Sequence, residues 1–178
     1  MELKFDSRTD MVNAFATPFF LFNLDESEKL NDALKALILA KERENPGVRR
    51  SNVGGWHSDD DLFAWDDRAV TALQQAALGA VETVVPLMTG GSCDFQVSLA
   101  GWANVSRKGA YNKRHTHPGC QVSAVYYVES GTAPSEDDPE SGTFEFIDPR
   151  PHAEMSALPG EAIGRPMTIQ PLNGRMIL

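Results

Sequence analysis

Apolar residues recur at helical spacing in two stretches of the first half of the chain. In the first stretch they stand at i, i+3, i+4, i+7 and i+8, which places them on one face of a helix. Asp25–Glu28 has the form of a capping box before this stripe, and Asn45-Pro46-Gly47 is expected to end the helix. The stripe consists of Leu30, Ala33, Leu34, Leu37 and Ile38.

The second stretch predicts a helix that begins near Asp66 or Asp67 and stops at Pro86, because proline lacks the backbone N–H that a helix needs. Residues 49–67, between the two helices, contain Gly54-Gly55 and a run of aspartates, a pattern typical of a loop. The buried face of the second helix is predicted to be Val70, Leu73, Ala77, Val81 and Val84.

Short strands are predicted outside the two helices, and most of them follow Gly90-Gly91. Runs rich in β-branched and aromatic residues alternate there with segments of Gly, Pro and acidic residues. An additional edge strand is expected before the first helix, at Phe15–Leu24. The predicted strands of the second half are Phe95–Val105, Gln121–Val128, Thr143–Ile147, Met167–Gln170 and Arg175–Leu178, the last two around a turn at Asn173-Gly174.

Helices followed by several short strands indicate an α+β fold, with a β-sandwich or barrel backed by helices. The length of 178 residues suits one domain, spanning 1–178, with a helical part at about 25–90 and a β part at about 92–178. A homodimer is possible because an edge strand such as Phe15–Leu24 invites pairing.

Composition and charge narrow the functional classes. The formal net charge of −9 argues against binding of duplex nucleic acid or of an anionic membrane surface. No apolar run approaches the roughly 20 residues that cross a bilayer, and the N-terminus lacks the pattern of a signal peptide. The expected location is therefore the cytoplasm. Two cysteines, Cys93 and Cys120, do not make a disulfide framework, and Cys120 is interpreted as a free thiol rather than a metal ligand.

His115 and His117 are two of only four histidines, and one residue separates them. Residues i and i+2 of a strand face the same side, so at a strand edge the two imidazoles could share one metal ion at the mouth of a barrel. Imidazole suits iron, zinc, copper and nickel alike. The alternative is that the two histidines coincide by chance on a solvated loop.

The sequence around this pair resembles the 2-oxoglutarate- and iron(II)-dependent oxygenases of the double-stranded β-helix (jelly-roll) fold, in a branch with N-terminal helices. The resemblance runs from about Phe15 to the end of the chain and is strongest at His115-Thr116-His117-Pro118 and the following strand. The matching segments are Gly54–Ser58, Trp102–Val105, Gly109, Asn112, His115–Pro118, Ser123–Val128 and Phe146–Arg150.

The resemblance implies that Fe(II) is bound by His115 as first ligand and by His117, which takes the place of the superfamily's carboxylate. It also implies 2-oxoglutarate as cosubstrate. A distal histidine and a basic residue that pairs with 2-oxoglutarate are expected as well, and neither is found at the matching positions. His152 lies in a loop-forming sequence and does not replace the distal ligand. The expectation is that these elements follow residue 178.

Three polar residues are candidate contacts of 2-oxoglutarate: Asn104, Ser123 and Tyr127. Asn104 would reach the cosubstrate from the preceding strand, or else bond its own backbone. Ser123 and Tyr127 lie four apart on one predicted strand face, where ordinary cross-strand packing is the competing interpretation.

Two further features favour ordinary surface roles. His57 follows Gly-Gly-Trp in a predicted loop, and a solvated histidine is favoured over a catalytic one. Lys113 and Arg114 could steer an anionic cosubstrate, but a solvated basic patch is favoured.

The leading hypothesis is an oxygenase that couples decarboxylation of 2-oxoglutarate to oxidation of a small-molecule or peptide substrate, without a side chain assigned as catalytic. The alternatives are a cupin-like metalloprotein that does not use 2-oxoglutarate, either a dioxygenase or an isomerase, and a jelly-roll binding module without metal.

Overall fold

The computed structural model describes residues 4, 6, 8–10, 17–91, 93–132, 134–137, 139, 141–156 and 166–178. Phe15, where the first strand was predicted to begin, lies outside the described residues, and the strand itself spans Leu21–Asn23. None of the described helices combines the length and hydropathy needed to cross a membrane.

Helix α1 spans Glu28–Glu44, and its N-cap lies two residues later than the Asp25 that the capping-box pattern predicts. Its N-cap is Ser27, which makes no capping hydrogen bond, so the predicted start at Asp25 is wrong. The predicted stripe packs against the core except for Ala33, which is exposed. Asn31 is buried instead, and its Oδ1 accepts a hydrogen bond of 2.6 Å from Tyr126.

Helix α2 spans Arg68–Thr89 and begins as predicted, with Asp67 as N-cap accepting a hydrogen bond of 2.7 Å from the Ala69 N–H. It does not stop at Pro86. The proline removes only one backbone donor, and the helix continues for most of a turn until Gly90, whose φ of 77° ends it in the left-handed conformation.

Nine short strands form four small antiparallel sheets among the described residues. One sheet has the order β1-β9-β6, and the others pair β2 with β5, β3 with β4, and β7 with β8. The strands are β1 Leu21–Asn23, β2 Asn52–Val53, β3 Trp56–His57, β4 Asn104–Val105, β5 Tyr111–Asn112, β6 Val125–Tyr126, β7 Phe144–Phe146, β8 Met167–Ile169 and β9 Arg175–Ile177.

The predictions for the last three strands are confirmed, together with the turn at Asn173-Gly174. The last two do not pair with each other, because β8 pairs with β7 and β9 lies between β1 and β6. Within the longer predicted strands Phe95–Val105 and Gln121–Val128, regular strand spans only two residues each, Asn104–Val105 and Val125–Tyr126. Alternation identifies a strand face, but it cannot supply the partner whose hydrogen bonds complete a strand.

The α+β class is therefore confirmed, whereas the described residues show no closed barrel. The interhelical segment predicted as a loop contains β2, β3 and a 3-10 turn at Leu62–Ala64. Since β2 and β3 pair with β5 and β4, the helical and β parts interleave instead of following one another. The core lies where the two helices meet β9, with Leu34, Val70, Leu73 and Met176 buried.

Candidate metal centre

His115 and His117 lie in the loop between β5 and β6, not on a strand edge. Their rings nevertheless meet edge to face, with centroids 4.8 Å apart and planes at 76°. With metal–nitrogen bonds of about 2.1 Å, two imidazoles that share one ion at a right angle have centroids about 4.6 Å apart. The two side chains that the sequence pairs are thus brought together at a separation that suits a shared ion.

The backbone fixes the orientation of His115. Its Nδ1 lies 2.7 Å from the carbonyl oxygen of Lys113. Because a carbonyl only accepts, Nδ1 carries the proton and donates it, and the lone pair is left on Nε2. Metal-binding histidines are oriented in the same way by an acceptor on the second ring nitrogen. His115 is exposed, so Nε2 is accessible for an ion.

His117 is partly buried beside the indole of Trp102, at a centroid distance of 5.5 Å. Burial lowers the pKa of His117, and the proximity of His115 lowers it further. The neutral form that binds metals is therefore favoured.

A row of aromatic contacts leads from His117 through Trp102 to the buried His57. The ring of His57 is stacked on Trp102 with centroids 5.4 Å apart and planes at 14°. His57 opposes Asn104 in the β3–β4 pair, so Trp102, two residues before Asn104, is its diagonal neighbour on one face. This face of the β3–β4 pair forms the base of the candidate site.

The prediction of a solvated His57 is wrong, because its exposed fraction is 3%. Its Nδ1 donates to the Ser58 carbonyl at 2.6 Å. Ser58 anchors the strand end through two hydrogen bonds of 3.0 Å, from its N–H to the Ala103 carbonyl and from the Ala103 N–H to its Oγ. The local sequence Gly54-Gly55-Trp56-His57 is typical of a loop, and His57 becomes buried only because its strand pairs with β4.

The three candidate contacts of 2-oxoglutarate, Asn104, Ser123 and Tyr127, do not lie together on one strand. Asn104 is exposed on β4, on the face that carries Trp102. Ser123 is exposed and precedes β6, so it does not share a strand with Tyr127. Tyr127 follows β6. Its N–H donates to the carbonyl of Arg175 on β9, and its carbonyl accepts from the N–H of Gly174, just before β9. Burial raises the pKa of its phenol to about 12. Among the described residues no hydrogen bond joins these three side chains to the histidine pair.

The histidine pair is not part of a larger cluster of metal-binding side chains among the described residues. In the part of the chain that the structure describes, no group of three or more His, Cys, Asp or Glu side chains converges on one point. His152 adopts a left-handed turn conformation with φ of 61° and does not join the pair. Cys120 is an exposed free thiol. The residues present fit an imidazole-binding divalent ion held by two protein ligands.

In a comparison with known protein families, residues 100–178 match one family model, which is described as "Putative 2OG-Fe(II) oxygenase". The match covers somewhat less than half of the chain and includes both histidines of the pair. No curated protein and no solved structure matches the chain.

Proposed function

We propose that the protein is a 2-oxoglutarate- and Fe(II)-dependent oxygenase, because residues 100–178 match the 2OG-Fe(II) oxygenase family model. The single observation that carries the proposal is the convergence of His115 and His117 inside the matched segment, with Nε2 of His115 left accessible. The proposed fold of the catalytic domain is the jelly roll, and the proposed location is the cytoplasm.

In this proposal His115 and His117 hold Fe(II), which supplies the activation of O₂ that no amino-acid side chain provides. Trp102 packs against His117 and restricts the rotation of its ring. His57, buried behind Trp102, fixes the indole in turn. The role of these aromatic contacts is to keep the second ligand preorganised and one side of the site dry.

We assign 2-oxoglutarate to the face of the β3–β4 pair that carries Trp102, with Asn104 as its nearest polar contact. Asn104 shares this face with Trp102, which touches His117. Ser123 and Tyr127 are proposed as further contacts. With its pKa near 12, the phenol of Tyr127 stays protonated at neutral pH and acts as a hydrogen-bond donor to a carboxylate.

The test is anaerobic addition of Fe(II) and 2-oxoglutarate to the full chain, monitored for the weak visible charge-transfer band of the chelate. The band is expected in the unaltered protein and is expected to disappear in His115→Ala/His117→Ala. His152→Ala is the matched control, since it removes a histidine outside the pair and is expected to keep the band. Absence of any band in iron-loaded protein would contradict the proposal.

Succinate measured under O₂ distinguishes the proposed function from a cupin-like enzyme. Only the oxygenase converts 2-oxoglutarate to succinate, so bound iron without succinate formation favours the cupin-like enzyme. If the protein binds neither metal nor 2-oxoglutarate, the third alternative, a jelly-roll binding module without metal, is favoured.

A further inference from the structure

The strands that support the histidine pair lack acidic residues altogether. Segments 45–58 and 101–117, which pair through β2–β5 and β3–β4, contain no Asp or Glu, and we call them the basic ribbon. The remaining 147 residues contain all 25 acids and 10 of the 16 bases, a net charge of −15. The basic ribbon thus carries +6 within a strongly acidic protein. Its bases are Arg49, Arg50, Arg107, Lys108, Lys113 and Arg114.

Acidic side chains from other elements compensate half of this charge. Arg50 pairs with Asp60 at 3.7 Å, Arg107 with Glu42, and Arg114 with Glu145. Arg49, Lys108 and Lys113 are exposed and form no ion pair with the described residues. Three positive charges therefore remain available to a ligand.

One of these charges, Lys113, lies next to the candidate metal centre. The Lys113 N–H donates to the Ser51 carbonyl at 2.9 Å, which extends the β2–β5 pairing to within two residues of His115. Tyr111 and Lys113 are two apart and face the same side of the ribbon. Tyr111 is 56% exposed, and its cross-strand partner is Val53. An aromatic ring and a cation thus stand together beside the site.

From this arrangement we propose that the substrate of the site is a polypeptide segment rich in carboxylates, which lies along the basic ribbon and presents its reacting residue to His115 and His117. The inference deepens the proposed function, because it names the substrate class of the same site. A hollow of about 260 Å³ lies away from the ribbon, beside Asn31 and Asp32 of α1, and a smaller one of about 70 Å³ borders the buried part of the ribbon at Trp56 and Ser58. The smaller hollow is well below the roughly 300–1,000 Å³ of a typical ligand pocket. The part of the ribbon that carries Tyr111 and Lys113 is an exposed surface. An extended chain suits such a surface better than a small metabolite, which is bound in a concave pocket.

The aromatic residues favour a peptide over single-stranded nucleic acid. Proteins that bind single strands stack successive bases on several exposed aromatic rings. On the basic ribbon Trp56 is buried, Trp102 is partly buried, and Tyr111 is exposed. One exposed ring supports contact with a peptide side chain but does not form a stacking platform.

The experiment measures binding of a fluorescein-labelled hexaglutamate peptide to the full chain by anisotropy, at about 50 mM salt, where screening is weak. Binding is expected to weaken about tenfold or more in Arg49→Glu/Lys113→Glu. Lys29→Glu/Arg68→Glu changes the net charge equally at exposed positions on the helices and is expected to bind within about twofold of the unaltered protein. Arg49→Gln/Lys113→Gln, which only neutralises the charges, is expected to give an intermediate loss, and thermal unfolding verifies that each variant is folded.

Failure of this inference can be distinguished from failure of the proposed function. His115→Ala/His117→Ala removes the metal ligands and is expected to retain peptide binding. Three outcomes overturn the inference: no binding of the peptide, equal loss in the helix control, or tighter binding of an oligothymidylate than of hexaglutamate.

Discussion

Arg114 reaches from the histidine loop to Glu145 on β7 and forms two hydrogen bonds, of 3.1 Å from Nε and 2.8 Å from a terminal nitrogen. The two residues are 31 positions apart, and Arg114 immediately precedes His115. The Arg114 side chain remains 65% exposed, so the ion pair is compatible with the favoured interpretation of a solvated basic patch. The ion pair fixes the start of the loop that carries both candidate ligands to the β7–β8 sheet.

Glu145→Gln is expected to weaken Co(II) binding at the histidine pair by about two- to fivefold, since an exposed ion pair contributes modestly even in two-pronged geometry. Binding is measured by competition with a chelator. The exchange Arg114→Glu/Glu145→Arg is expected to restore part of the affinity, which a purely local effect of either side chain would not do.

Glu42→Gln is the matched control for this ion pair. Glu42 accepts two hydrogen bonds from Arg107, another exposed arginine of the basic ribbon, which β5 separates from the histidine loop. If Glu42→Gln weakened Co(II) binding as much as Glu145→Gln, the positioning role of Arg114 would be refuted.

His117 is expected to titrate below its ordinary pKa of 6.5 in the metal-free protein, because burial and the neighbouring His115 both disfavour the charged ring. Since the unfolded chain takes up this proton first as the pH falls below 6.5, the free energy of unfolding decreases through that range. Proton NMR of the imidazole resonances measures the pKa directly.

His115→Ala is expected to raise the pKa of His117 only part of the way to its ordinary value, because burial is the larger cause. An unchanged or lower pKa in this variant would show that the two rings do not interact in solution.

Gly47→Ala is expected to lower the free energy of unfolding by about 2–4 kcal/mol. Gly47 has φ of 72°, and a Cβ there would lie 2.5 Å from the His57 carbonyl oxygen and 2.6 Å from Trp56 Nε1. The methyl group would displace the strand that buries His57, so the stacking on Trp102 should change along with the stability. Chemical denaturation followed by tryptophan fluorescence measures both effects.

Gly109→Ala separates backbone strain from the clash. Gly109 has φ of 84°, and a Cβ there meets nothing within 4 Å, so only the left-handed conformation is penalised. A loss of about 1–2 kcal/mol is expected. Equal losses in the two variants would mean that the close approach at Gly47 does not occur.

Tyr127→Phe is expected to reduce the alkaline loss of stability. The pKa of Tyr127 is raised from 10.0 to about 12 by burial, so between these values the unfolded chain ionises while the folded protein does not. Folding stability contributed by the neutral phenol is therefore lost as the pH rises through this window. Denaturant unfolding on both sides of pH 10 measures the slope, and Tyr111→Phe, which removes an exposed phenol, serves as the control. A slope unchanged by Tyr127→Phe would contradict the burial of this ring.

Local sequence signals were sufficient for the features that depend on near neighbours. The apolar stripe at Leu30–Ile38, the N-cap Asp67 and the turn at Asn173-Gly174 rest on spacing or on the conformational preference of one residue, and the helices and the turn are found there. The predicted start of α1 at Asp25 was wrong because the helix begins after Ser27, whose side chain makes no capping hydrogen bond, so the capping-box signal is not used in the folded chain.

The sequence by itself determined the two helices, the last three strands, the match of residues 100–178 to the 2OG-Fe(II) oxygenase family model and the pair His115 and His117. Only the tertiary structure decided that β3 pairs with β4, that His57 is buried against Trp102, and that Arg114 bonds Glu145. These contacts join residues 31 or more positions apart. Periodicity in the sequence shows which side of a helix or strand is apolar. The pairing partner of that element depends instead on how distant segments fit together in space, so that their backbone groups form hydrogen bonds and their charges form ion pairs.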